Sequence, residues 1–334
     1  MEDQQDWVLI SSGCPGLPIN LEKQRSELSR PKLGFTPSFA LCSFFRMGDH
    51  LKGLLITTLG VLCVVPDSLF VRLIGEEPMV TTFWRSLISG SVVLAAVLMF
   101  PGLGSFRTLF RTGWPGFWYT VLIASTAPAF VLAVSNTSVA NVVFIFASMP
   151  VFASVYSRIF LGEPISRRMI LTMAAVFCGL AVLAYGSHTN EVASWKGDVW
   201  ALYISASYAA ALTLVRKLKE TPMIPAIPIA FIGTAVLIGL FQAPLPAFVE
   251  KWPLFLGHGL FIGLATCLLT IGPRYISSAE VALLILLESV LAPLLVWALV
   301  GEDPGSYALA GGILVIGALL VSNLAALRAR KPRT

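Results

Sequence analysis

Apolar runs of roughly 17–25 residues, each long enough to cross a ~30 Å hydrocarbon core, follow one another from Leu51 to Leu327 with short polar breaks between them. The pattern predicts ten spans, over residues 51–74, 80–100, 115–134, 139–160, 168–186, 197–217, 224–242, 254–272, 278–300 and 305–327. The expected fold class is therefore an all-α integral membrane protein with ten transmembrane helices. Residues 1–50 break the pattern: they are polar, carry Pro15, Pro18, Pro31 and Pro37, and hold only one short apolar run, Phe35 to Phe45. That run is too short to span, and no small-residue cleavage site of a signal peptide follows it. The leader reads as a disordered cytoplasmic tail or as an artefactual extension, with Met47 as an alternative start immediately before the membrane unit.

The pattern is written twice. Val71-Arg72-Leu73-Ile74-Gly75-Glu76-Glu77-Pro78-Met79 recurs as Val215-Arg216-Lys217-Leu218-Lys219-Glu220-Thr221-Pro222-Met223 at an offset of 144 residues. Further along, Ser138, Ala140, Val142, Gly162 and Glu163 match Ser277, Ala279, Val281, Gly301 and Glu302 at an offset of 139. A first repeat over residues 51–187 and a second over 197–328 follow, with a basic tail at 329–334. Five spans per repeat is an odd number, so the two repeats enter the membrane from opposite sides. Inverted repeats supply two related conformations open to opposite faces, with the binding site where the halves meet.

Composition agrees: hydrophobic residues are 56% and charged residues 12% of the chain, with a mean hydropathy of +0.82, against about 45–50% and 25% in soluble domains. With the amino terminus cytoplasmic, nineteen Lys and Arg residues fall on the inner side and three, Arg72, Lys196 and Lys251, outside, while Arg85 lies within a span. Both termini are then cytoplasmic, in a plasma or inner membrane. The net charge of +5 follows from this bias, so no nucleic-acid partner is needed. The predicted partners are the lipid bilayer and a small-molecule substrate, with protons as an additional coupling partner. Trp84, Trp114, Trp118, Trp195, Trp200, Trp252 and Trp297 fall near span ends and read first as interfacial anchors, with Trp84 also a secondary site candidate. Five cysteines without ligand spacing and three scattered histidines, His50, His188 and His258, call for no metal and no cofactor.

Phe83-Trp84-Arg85-Ser86-Leu87, Met149-Pro150-Val151-Phe152 followed by Leu161-Gly162-Glu163-Pro164, and Leu287-Glu288-Ser289 followed by Val300-Gly301-Glu302 resemble the EamA repeats of drug/metabolite transporters. The resemblance covers about residues 51–328. It implies a ten-helix secondary transporter; known members move amino acids, vitamins, nucleotide-linked sugars, purines or drugs, and the resemblance does not choose among these. Where the first repeat has Met149 and Pro150 the second has Glu288 and Ser289, so any site is asymmetric.

Glu288 is the leading substrate or coupling candidate, because a carboxylate in mid-span is costly unless paired, hydrated or protonated. The alternative is a structural hydrogen bond to a neighbouring helix. Asp67 and Arg85 lie at similar depth below the outer edge, on the order of 8–10 Å at 1.5 Å per residue. They read as a neutralising pair or as a substrate-carboxylate clamp through the guanidinium. Pro66 beside Asp67 removes a backbone donor and predicts a kink. Secondary candidates are Asn141, read as an interhelical hydrogen-bonding residue, Glu280, read as solvated near a helix start, and His258, read as interfacial. Glu163 and Glu302 are assigned to loops and helix ends. Gly259 and Gly263, with Ala308, Gly312 and Gly317, predict close helix packing, as scaffold or as a homodimer face. Asn136-Thr137-Ser138 is a glycosylation sequon in too short a loop to carry a glycan.

The function expected is secondary-active transport of a small organic metabolite by alternating access. No GxxxxGK[ST] sequence supports ATP hydrolysis. An integral membrane enzyme acting on a lipid-linked substrate would need a clustered constellation such as H-E-x-x-H or G-x-S-x-G; that reading and a non-transporting receptor are the alternatives.

Overall fold

The computed structural model describes residues 49–100, 102–189, 194–218, 223–271, 275, 276 and 278–330. All but the last two residues of the predicted leader, and the last four of the chain, lie outside this set. Among the described residues the chain forms thirteen α-helices: α1 (Asp49–Val64), α2 (Asp67–Ile74), α3 (Pro78–Met99), α4 (Gly104–Phe110), α5 (Trp114–Asn136), α6 (Val139–Phe146), α7 (Met149–Leu161), α8 (Arg167–Thr189), α9 (Trp195–Lys217), α10 (Ala226–Gly239), α11 (Leu245–Ile271), α12 (Ser278–Val300) and α13 (Ser306–Arg330). Eight stretches are long and apolar enough to cross a membrane, two of them the tandem pairs α1–α2 and α6–α7. Ala226–Gly239 and Leu284–Val300 are shorter apolar helices, which brings the apolar crossings to ten, five in each repeat.

Two crossings are interrupted, each for a local chemical reason. Pro66 has no N–H, so the ladder of α1 ends with Val65 N donating to Val61 O at 3.1 Å and restarts with Phe70 N donating to Pro66 O at 2.9 Å. In the fourth crossing the Ser148 hydroxyl donates to Ile145 O at 2.6 Å and Pro150 opens the next helix, where its missing N–H costs nothing. The first interruption follows the Pro66 expectation; the second had no expectation attached. The eighth crossing differs more. It begins at Leu245, nine residues before the predicted residue 254, because Glu250, Lys251 and Pro253 read as loop yet form helix around a kink at Lys251 (φ −122°, ψ 27°).

The duplication is visible in the packing. Exchanging each helix for its counterpart, the pair α1–α11 answers to α9–α5, α3–α11 to α10–α5, and α7–α9 to α12–α1, while α3–α10 and α8–α13 map onto themselves. The matched glycines Gly162 and Gly301 both adopt positive φ, 69° and 78°, a conformation that only glycine takes without strain. Each repeat thus buries its helices largely against the other.

Small residues set the closest approaches. Gly259 and Gly263 press α11 onto Ile88, Ser89 and Val92 of α3, inside the chain, and Gly179 and Gly311 bring the backbones of α8 and α13 together. Gly312 lies against Phe144, whereas Gly317 faces open space. On the outside, large apolar side chains such as Phe241, Leu171 and Ile313 are exposed at 81%, 73% and 72%. A belt of this kind is untenable in water and natural against lipid. The protein is a multi-pass integral membrane protein.

A Cβ at Gly263 would sit 2.7 Å from Val92 Cβ. We expect Gly263→Ala to cost about 1–3 kcal/mol by overpacking, seen as a lower melting temperature of detergent-purified protein, whereas Gly317→Ala leaves the melting temperature near that of the parent.

Candidate functional site

Between the two repeats lies a cavity of about 450 Å³, within the range of small-ligand sites. Both helix interruptions open onto it: Val64 and Asp67 flank one, Phe146 and Met149 the other. Discontinuous helices at membrane depth are tolerated where they border such a cavity. Arg85 of α3, Tyr119, Ile123 and Phe130 of α5, Tyr208 and Leu212 of α9, Phe231 of α10, Thr266 and Thr270 of α11 and Glu288 of α12 complete its wall. From Asp67, Arg85 and Glu288 the cavity runs to Val215, Met223 and Thr270, near the ends of α9, α10 and α11. The mutually packed α8 and α13 take no part in the lining.

Asp67 is the first residue of α2, where the positive end of the helix favours its charge. Arg85 donates to it twice, Nε to Oδ1 at 3.0 Å and Nη2 to Oδ2 at 2.7 Å. The guanidinium carbon lies 5.5 Å from the centre of the Phe130 ring. His258 Nε2 meets Asp67 Oδ1 from a third helix at 2.5 Å, and its ring stacks on Phe70 with centroids 5.4 Å apart. All three polar residues are buried, His258 completely.

This corrects the interfacial reading of His258. The helix starts nine residues earlier than predicted, and the histidine is fully buried on its inner face, turned to α2. Glu288 differs from Asp67: among the described residues it makes no hydrogen bond and no ion pair, and it borders the cavity.

The remaining sequence candidates lie elsewhere. Trp84 does not line the cavity; its Nε1 donates to Pro244 O at 2.9 Å and its ring stacks on Phe248 at 3.9 Å, pinning the start of α11. Asn141 donates from Nδ2 to Asp198 Oδ1 at 3.2 Å. The Glu280 side chain lies outside the described residues. Asp198, which sequence reasoning did not single out, also accepts from Thr137 Oγ1 at 2.9 Å. Its only signal was a carboxylate in the first turn of a span, after Ser194, which caps α9.

Asn141 and Asp198 belong to a polar layer that closes the end of the molecule away from Val215 and Met223. Arg72 Nε pairs with Glu302 Oε2 at 2.7 Å, and Arg72 Nη2 donates to Thr137 O at 2.8 Å. Glu302 Oε1 accepts from Val139 N at 2.7 Å, capping α6. Lys251 Nζ pairs with Glu76 at 2.8 Å and donates to Ile74 O at 2.7 Å, while Gln242 donates to Glu77 at 3.0 Å. Chain segments from both repeats are laced together here.

Two inverted-order helical repeats around a shared polar-centred cavity define a membrane protein of the transporter class. The sequence profile of the EamA-like transporter family matches residues 51–185 and again 195–324, and the chain belongs to that family. A solved protein structure superimposes with a TM-score of 0.60 at 18% identity, covering 84% of this chain and 99% of that one, which speaks to the fold alone. None of the curated proteins matches the chain.

Removing one member of a buried ion pair costs about 3–5 kcal/mol, more than replacing both by apolar residues. We therefore expect Arg85→Met to lower the melting temperature sharply and Asp67→Leu combined with Arg85→Met to recover much of the loss, measured by fluorescence-detected size exclusion after heating.

Proposed function

We propose that this protein is a secondary-active transporter of a small organic molecule that works by alternating access, with the cavity between the repeats as its substrate site. The observation that carries the reading is the cavity itself: both repeats wall it, both helix interruptions open onto it, and one end of the molecule beyond it is laced shut. By the distribution of Lys and Arg, the laced end faces away from the cytoplasm and both termini face it, in a plasma or inner membrane. The conformation described is then the one turned toward the cytoplasm.

Arg72 and Glu302 come from different repeats, so opening the laced end requires their separation. The repeat matches Arg72 to Arg216 and Glu302 to Glu163, which the alternation of spans sets toward the other face. We assign the closing contact of the opposite conformation to that second pair. Proton coupling through Glu288 completes the proposal, since it is the cavity carboxylate that no described cation neutralises.

Two measurements test this. Counterflow of pooled amino acids, vitamins, nucleosides and amines into liposomes holding the purified chain should show saturable exchange of at least one pool. No exchange by folded protein would overturn the transporter reading, and equal flux with and without an imposed pH gradient would remove the proton clause. Separately, nitroxide labels at positions 77 and 242 should show a larger share of long distances in an Arg72→Ala background by pulsed electron resonance; an unchanged distribution would refute the closing role of Arg72.

A further inference from the structure

The transporter reading leaves the substrate class open, and the wall of the cavity narrows it. Among the described residues three charged side chains border the cavity: Asp67, Arg85 and Glu288. Arg85 spends Nε and Nη2 on the two oxygens of Asp67, so that pair presents little net charge. His258 stands behind Asp67, stacked on Phe70, and does not border the space. What remains is the carboxylate of Glu288, without a hydrogen bond or ion pair among the described residues.

The threonine hydroxyls add no donor. The hydroxyls of Thr126, Thr266 and Thr270 donate to Ile123 O, Ile262 O and Thr266 O at 2.7, 2.8 and 2.7 Å. Their protons are spent on their own helices, and their oxygens offer lone pairs only. Among the described residues no lysine, asparagine or glutamine borders the cavity, and Arg85 is the one arginine. The donors left on the wall are the phenols of Tyr119 and Tyr208 and Nη1 of Arg85, whose charge Asp67 already answers. An anion would meet the unneutralised carboxylate of Glu288 with no cation to spare. A zwitterion would set its ammonium on Glu288 but leave its own carboxylate to neutral donors.

Aromatic faces supply the rest. Phe146 from the first repeat and Tyr208 from the second meet edge to face with ring centres 6.0 Å apart, and Tyr119, Phe130 and Phe231 share the wall. Aromatic faces attract organic cations, most strongly where water is excluded.

We propose, resting on the transporter reading, that the cavity takes a monovalent organic cation, a protonated or quaternary amine on an apolar body of one or two rings, with Glu288 as its counter-charge. Met149, the repeat counterpart of Glu288, borders the same cavity and provides a control for charge independent of position.

The test uses the full chain in lipid nanodiscs and three probes that share a phenyl ring: radiolabelled benzyltrimethylammonium, phenylalanine and 3-phenylpropionate. We expect the quaternary amine to bind the wild-type protein, and Glu288→Gln to weaken it by about tenfold or more, which is ~1.4 kcal/mol. Glu288→Asp should stay within a few-fold of wild type. Glu288→Met should lose the amine and the added substitution Met149→Glu should recover it, which a merely structural role for Glu288 does not explain. The assignment is overturned if phenylalanine or phenylpropionate binds as tightly as the amine, or if Glu288→Gln with the parent's melting temperature binds the amine unchanged. Counterflow separates the two levels: exchange of a zwitterionic or anionic pool without any amine refutes the cation and leaves the transporter standing, whereas no exchange of any pool refutes both.

Discussion

The carboxylate of Asp67 is the group around which the membrane half of this molecule is organised. A charge taken out of water must be answered by opposite charge and by hydrogen bonds, and here both answers come from other helices: Arg85 from α3 and His258 from α11. One side chain thus draws three helices to a common point at the top of the cavity. The chain break at Pro66 makes this feasible, because it starts α2 afresh and aims the acid inward from a helix amino terminus. Gly259 and Gly263 complete the arrangement by letting α11 approach α3 closely enough for His258 and Arg85 to share one acid.

The symmetry of the scaffold and the asymmetry of its chemistry are separate properties. Helix pairings and the Gly162 and Gly301 turns follow the duplication. The charges do not: at the offsets of the repeat, Asp67, Arg85 and Glu288 correspond to Ala211, Ile229 and Met149. Duplication built the walls and later divergence furnished them. The framework is two-fold and its charged contents are one-sided.

The span count and the duplication were legible because hydropathy over about 20 residues reports bilayer thickness directly. The meeting of Asp67 with Arg85 was legible from depth alone. His258 was not, because the charged residues Glu250 and Lys251 disguised the first turns of α11 as loop, and a residue buried between helices looked interfacial. Asp198 was passed over for a related reason: a span end looks the same in sequence whether it meets headgroups or the end of another helix. The wall of the cavity was illegible altogether, since which face of each helix looks inward is decided by packing among ten crossings.

The layer that seals one end is made of ion pairs and hydrogen bonds, not of interlocked apolar side chains. Arg72 and Glu302 retain 20% and 9% of their side-chain exposure, Lys251 and Glu76 about 30% and 29%. The wetter Lys251–Glu76 pair is worth about 0.2–1 kcal/mol, because water takes back nearly all that the partners lose. A seal of this kind can part without baring apolar surface: separating its two sides trades protein partners for water rather than breaking a packed core.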